Sequence, residues 1–247
     1  AQCLVGSEMC IRDSTVPVFR ETQTPYFHAE RMYHPLISDP VPNSIELDKS
    51  LLLTGSNASG KSTFLKTAAL QIILAQTVHT VLASSYEACR FRVFTSMALR
   101  DDLVSEESYY MVEIRSLKRI FDRIEGEIPV FCCVDEVLRG TNTVERIAAS
   151  SQILLYMAGR RLLCMAATLD IELTYILEDV FRNCHFEEEV TDEQITFDYL
   201  LKEGRAMTRN AIRLLHLMGF EDSIIEKAET MAQQIAGHEN TTEYDHR

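Results

Sequence analysis

Positive charge is scarce in this chain. Over 247 residues, 24 Lys and Arg stand against 37 Asp and Glu, a formal net charge of −13. Such an acidic surface repels phosphate backbones, which argues against a protein built to grip nucleic acid over its whole exterior. A local basic patch stays open. No C-x-x-C spacing occurs among the seven cysteines, Cys3, Cys10, Cys89, Cys132, Cys133, Cys164 and Cys184. Their odd count, and the apolar runs that hold several of them, point away from a disulfide framework and toward a reducing, cytoplasmic compartment. Long apolar runs are missing too. The longest, over 153–169, is broken by Gly159-Arg160-Arg161, so no membrane segment is expected, and no convincing secretory signal is read. Internal repeats are also lacking. What remains, 46% hydrophobic and 25% charged, excludes a collagen, a coiled-coil rod or a disordered tail. The length allows one large domain or two small ones. A chain of this size buries about 70–75% of its unfolded surface and needs no disulfide or metal staple.

Residues 1–14 carry no period. They resemble a translated cloning or sequencing scar, the alternative being a truncated piece of an upstream domain. Residues 15–48 are rich in Pro17, Pro25, Pro35, Pro40, Pro42 and turn formers, so they predict extended chain and loops, with 15–45 as a lead-in. From residue 46 to 237 strands alternate with helices. Buried strands are expected at 50–54, 91–99, 129–135 and 162–167, and helices at 61–79, 107–124 and 143–158. The helix over 107–124 shows an apolar stripe of Tyr110, Ile114, Leu117, Phe121 and Ile124. Runs at 181–190 and 194–201 predict a hairpin across Thr191-Asp192-Glu193, followed by helices at 208–218 and 222–235. The last ten residues, 238–247, read as a frayed polar tail. Non-alternating apolar strands between helices imply an α/β core with a mostly parallel central sheet flanked by helices.

Gly55, Ser56, Asn57, Ala58, Ser59, Gly60, Lys61 and Ser62 match G-x-x-x-x-G-K-[ST] in full, with an apolar strand before and a helix after. Two glycines let the loop curl so that successive N–H groups face inward around phosphate oxygens, and the helix adds its N-terminal partial charge. Lys61 would reach the β- and γ-phosphates, while the Ser62 hydroxyl would ligate Mg2+. The apolar run from Val130 to Val134 feeds Asp135-Glu136, the acidic pair that a nucleotide site needs on the neighbouring strand. Asp135 can hold the Mg2+ shell and Glu136 can orient the attacking water. These motifs read as a Mg-dependent ATPase, a P-loop NTPase with ATP and Mg2+ as its ligands.

Three ordered motifs carry a more specific resemblance. They are the loop that runs on through Thr63, the segment Ser108-Tyr-Tyr-Met-Val-Glu113, and Asp135-Glu136-Val-Leu-Arg139-Gly140-Thr141. Together they resemble the C-terminal ATPase domain of the MutS family, mismatch repair proteins of the ABC ATPase class. The resemblance implies a dimer, homomeric or heteromeric, in which Ser108 of one chain completes the γ-phosphate site of the other. It implies DNA contact through upstream regions that this chain does not resemble. It also places the base near Val41 and the Pro42-Asn43 dipeptide, with Tyr199 stacked on it.

One departure concerns the switch histidine of that family, where this chain has Leu169 after Thr168. Leucine donates no hydrogen bond, so nucleotide binding with slow hydrolysis is expected. The competing reading is a nucleotide-gated dimerisation switch with little hydrolysis and no mismatch role. Another ABC-class ATPase, a transporter for instance, would need an L-S-G-G-Q-like segment before Asp135, and none is there. The run Glu187-Glu188-Glu189 beside His185 reads as a solvated strand edge rather than a metal site.

Overall fold

The computed structural model describes residues 14–22, 24–97, 109–190, 194–206 and 211–242. In chain order the elements are β1 (Val18–Phe19), β2 (Phe27–Met32), β3 (Asn43–Leu47), β4 (Ser50–Thr54), α1 (Lys61–Thr77), β5 (Ser85–Ala88), β6 (Arg92–Ser96) and α2 (Tyr109–Phe121). They continue as β7 (Val130–Asp135), α3 (Thr143–Ala158), β8 (Leu162–Ala167), α4 (Glu172–Ile176), β9 (Phe181–His185), β10 (Glu188–Val190), β11 (Ile195–Phe197), β12 (Lys202–Glu203), α5 (Ala211–Leu217) and α6 (Asp222–Thr242). The described residues divide into two units. One runs to Glu187 and regains the chain over Tyr199–Ala206; the other holds Glu188–Asp198 and the described residues from Ala211 on.

The first unit is built on a six-stranded sheet in the order β12-β9-β4-β8-β7-β6. Every neighbouring pair is parallel except the edge pair β12–β9. Side chains alternate across it, as strand geometry requires. Leu51, Leu53, Phe131, Cys133, Leu163 and Met165 point to one side, into a core shared with α1. Leu52, Val130, Cys132, Val134, Leu162 and Cys164 point to the other, where α2, α3 and α4 supply Leu117, Ile120, Leu154, Met157 and Leu173. Because both faces are covered, these strands are apolar throughout instead of alternating. The stripe expected on α2 faces this second core: Leu117 and Ile124 are buried, with Tyr110, Ile114 and Phe121 packed against them.

Residues 15–48, expected as extended chain and loops, are organised further than that. They contain β1, β2 and β3, which join β5 in a second, four-stranded sheet of order β1-β5-β2-β3. The signal was period two in β2, where Phe27 and Ala29 are buried while His28 and Glu30 face the other way. Proline-rich flanks obscured it. This sheet covers the α1 side of the core through Phe27, whose ring meets Phe131 at 5.5 Å and Tyr86 at 5.8 Å. Buried Gln71 of α1 ties the same layer together, donating to the Tyr33 carbonyl at 2.9 Å and accepting from the Leu82 amide at 2.7 Å. A buried amide satisfied at both ends fixes the rotation of α1, and with it the loop that precedes the helix.

The expected strand over 181–190 divides at Phe186 and Glu187. The Phe186 amide still bonds the Thr54 carbonyl at 3.0 Å, and its ring packs on Phe64 of α1 at 5.7 Å. In the second unit β10 and β11 pair antiparallel, Glu188 opposite Phe197 and Val190 opposite Ile195, as the expected hairpin requires. Its turn residues lie outside the described residues. Helix α6 runs to Thr242, so residues 238–242 of the expected tail are helical; nothing in them forbids propagation, which fixes few dihedrals per bond. Among the described residues no helix is long and apolar enough to cross a membrane.

Candidate functional site

Strand β4 delivers the chain to Gly55, whose φ of 136° lies outside ordinary L-residue space. A Cβ there would stand 2.4 Å from the Phe186 carbonyl oxygen, so only glycine lets the loop leave the strand at this angle. At the far end Gly60, at φ 108°, caps α1 with no side chain, and no acid sits in the first helical turn. The amides at this N-terminus therefore keep their partial positive charge uncancelled, an arrangement that favours an anion. Lys61, 5% exposed, folds its ammonium back onto the loop, donating to the carbonyls of Gly55 at 2.8 Å and Ser56 at 2.7 Å.

A cavity of about 470 Å³ opens over this loop. Asn57, Ala58, Gly60, Lys61, Ser62 and Thr63 form its floor, with Glu136 at one side. Val41 and Tyr199 contribute to the wall from distant parts of the chain, together with His34, whose spacing suggested no metal site, and Ile37, which carried no sequence signal. Tyr199 is held by Asn43, whose amide donates to its carbonyl at 2.9 Å and accepts from the Leu201 amide at 2.7 Å. The same amide group donates to the Val41 carbonyl at 3.3 Å. Asn43 thus fixes both residues expected beside the base. Gly55, Ser56 and Ser59 do not line the cavity; the Ser59 side chain is buried against Gly55, its hydroxyl without a hydrogen-bond partner.

Asp135 ends β7, and the chain turns sharply after it. Glu136 and Leu138 both have φ of 57°. The Glu136 amide donates to the Ala167 carbonyl at 2.9 Å, and its carboxylate pairs with Arg139 at 2.9 Å. The backbone amides of Leu138 and Arg139 donate to the buried carboxylate of Glu113 on α2, the second at 3.1 Å. Burial outweighs these bonds and pushes the Glu113 carboxyl above its ordinary range. Strand β7 is not the neighbour of β4, as the acidic pair had suggested: β8 lies between them. Parallel strands need crossovers, and chain order does not dictate which strand is inserted where.

Strand β8 ends in its own turn. Thr168 donates its amide to the Leu53 carbonyl and accepts from the Asp170 amide, both at 3.0 Å. Leu169, 47% exposed, shares with Glu136 and Arg139 the wall of a second cavity of about 280 Å³. Ser108 lies outside the described residues, which resume at Tyr109, the first residue of α2.

Residues 51–236 match the family described as MutS domain V. The chain belongs to the MutS family. Among its relatives, the DNA mismatch repair protein MutS of Exiguobacterium sp. is 32% identical over 87% of this chain and 27% of the relative. The proteins of the same name from Bacillus licheniformis and Natronomonas pharaonis are 34% and 31% identical, over 79% and 80% of this chain. The chain spans about a quarter of the length of the curated relatives it matches, 27%, 23% and 24% respectively. Within the stretch matched to MutS domain V fall the glycine loop, both strand-end turns and Tyr199; Val41 and Asn43 precede it.

Among the described residues there is no group of three or more His, Cys, Asp or Glu that could hold a metal ion. Mg2+ needs no such cage, because one or two protein oxygens, substrate phosphates and several retained waters make up its octahedral shell. Ser62, in the first turn of α1, and Asp135, at the end of β7, are hard oxygen donors of the type it takes.

Proposed function

We propose that this chain is the ATP-binding and ATP-hydrolysing module of a MutS-family mismatch repair protein, a P-loop NTPase of the ABC class. The observation that carries the reading is one cavity whose floor is an uncapped helix N-terminus with a buried lysine and whose wall holds Glu136 and Tyr199. Such a floor suits a polyphosphate, and an aromatic ring with an aliphatic neighbour suits a base. Its volume falls within the range of small-molecule sites.

In this reading the loop amides and Lys61 bind the β- and γ-phosphates, and Tyr199 with Val41 holds the base. Ser62 and Asp135 would hold Mg2+, which when bound draws charge from the phosphates. Glu136 accepts the proton of the attacking water, and its backbone bond to Ala167 helps to hold it on the wall of the cavity. Ser108 acts in trans, at the site of a second ATPase domain, in a homodimer or heterodimer. DNA is handled by parts of the parent protein outside this chain, which agrees with the net charge of −13. Leu169 stands where a hydrogen-bond donor would sense the γ-phosphate, so turnover is slow. The relatives named as mismatch repair proteins favour this reading over a switch without a repair role.

The test is binding and hydrolysis of ATP with Mg2+ by the purified chain and by Lys61→Ala. Saturable binding with slow phosphate release, the binding weakened at least about tenfold and the release lost in the variant, is the expected result. Light scattering with and without ATP reports dimer closure, and a chain that stays monomeric at high concentration would count against the trans role of Ser108.

A further inference from the structure

Two left-handed residues so close together, Glu136 and Leu138 at φ 57°, are unusual for side chains of this size. Such conformations persist only where the surroundings over-determine them. Here the turn is held from several elements. The Ser150 hydroxyl of α3 donates to the Val137 carbonyl at 3.2 Å, and the Glu136 amide is tied to β8. From α2, Glu113 accepts the amides of Leu138 and Arg139 in one carboxylate. Tyr110, one turn earlier on the same face of α2, abuts the next residue of the turn: a Cβ on Gly140 would lie 3.0 Å from the Tyr110 Cβ.

Glu113 is only 2% exposed and sits beside the apolar stripe of α2. An apolar residue there would serve packing better, because a buried acid is costly unless its oxygens are bonded. Both of its bonds go to the segment that carries Glu136 and Arg139, and Arg139 in turn contacts the Glu136 carboxylate at 2.9 Å.

We infer that Glu113 is a positioning residue for hydrolysis, clamping the strained turn after β7 so that the Glu136 carboxylate lies on the cavity wall. The inference rests on Glu136 being the water-orienting group. Glu113 lines neither of the two cavities; it acts through the backbone of Leu138 and Arg139.

The experiment compares wild type, Glu113→Gln and Gly140→Ala by single-turnover hydrolysis of Mg-ATP, equilibrium ATP binding and hydrogen exchange over 136–140. Glutamine keeps the shape of the side chain but turns an amide donor toward one of the two N–H groups. Alanine at 140 pushes the same turn from the Tyr110 side. The expected result is a hydrolysis rate at least tenfold lower in both variants, ATP affinity within twofold of wild type, and faster exchange at the Leu138 and Arg139 amides. A rate within twofold of wild type in Glu113→Gln, or unchanged exchange at those amides, would overturn the assignment. Equal loss of binding and rate would make Glu113 merely structural and overturn it as well. Should wild type neither bind nor hydrolyse ATP, the ATPase reading fails, and the exchange at Leu138 and Arg139 alone decides the clamp.

Discussion

Arg146 of α3 holds Asp170 through two parallel bonds, Nε to Oδ2 at 2.8 Å and Nη2 to Oδ1 at 2.5 Å. Both side chains are largely shielded, and the pair pins the turn that presents Leu169 beside Glu136. A forked pair of this kind fixes direction as well as distance.

The first prediction follows from what that turn presents. Leu169→His places a hydrogen-bond donor on an already rigid support, and single-turnover ATP hydrolysis should rise by about tenfold or more. No gain would contradict the proposal that Leu169 slows turnover. Arg146→Leu should instead lower stability by about 1–3 kcal/mol, between the values for exposed and buried pairs, measured by urea denaturation.

Phe131 joins the two sheets. Its ring lies 5.5 Å from those of Phe27 and Phe91, and it is fully buried at the second position of β7. Phe131→Ala should cost about 3–5 kcal/mol in chemical denaturation, since both layers lose a shared contact and a cavity remains. A loss below about 1 kcal/mol would mean that the two sheets do not share a core.

Glu113 also predicts a dependence on pH. Its carboxyl is raised above the ordinary 4.5, chiefly by burial, with the Glu136 charge adding to the rise and Arg139 and two backbone amides opposing it. The folded state therefore binds the proton more tightly than the unfolded chain. Stability from this group is full below the unfolded value and declines as pH rises through the folded one. The melting-temperature difference between wild type and Glu113→Gln should shrink with rising pH above about 4.5. A difference that grows over that interval would reverse the sign and contradict the burial.

Cys89, Cys132, Cys133, Cys164 and Cys184 are free and buried. Burial pushes the Cys133 thiol well up and the Cys184 thiol to about 12. Burial keeps a reagent from all five, so they should resist a thiol reagent at neutral pH until the chain unfolds. Mass spectrometry of labelled peptides from folded protein checks this, and labelling of Cys133 before unfolding would contradict it.

Much of the floor of the site was legible in the sequence because its chemistry is local. Gly55 and Gly60 act through their own backbone and Lys61 through an ammonium folded onto the same loop, and their spacing carries the requirement. Tyr199 and Val41 were reachable only by resemblance, since what joins them is the side chain of Asn43, bonded to Tyr199 from 156 residues away. That the extended chain over 15–48 pairs into a sheet was not legible, because short strands between prolines leave little room for a period to show. The insertion of β8 between β4 and β7 has no local signature. Glu113 was visible as part of a motif, yet its bonds to Leu138 and Arg139 are tertiary, and nothing in the spacing reveals them.

The most direct test of the central claim is calorimetric titration of the purified chain with Mg-ATP, alongside Lys61→Ala. The account predicts one saturable ATP site per chain, weakened at least about tenfold when the lysine that caps the loop carbonyls is removed. No saturable binding by the wild-type chain, or equal affinity in the variant, would contradict it.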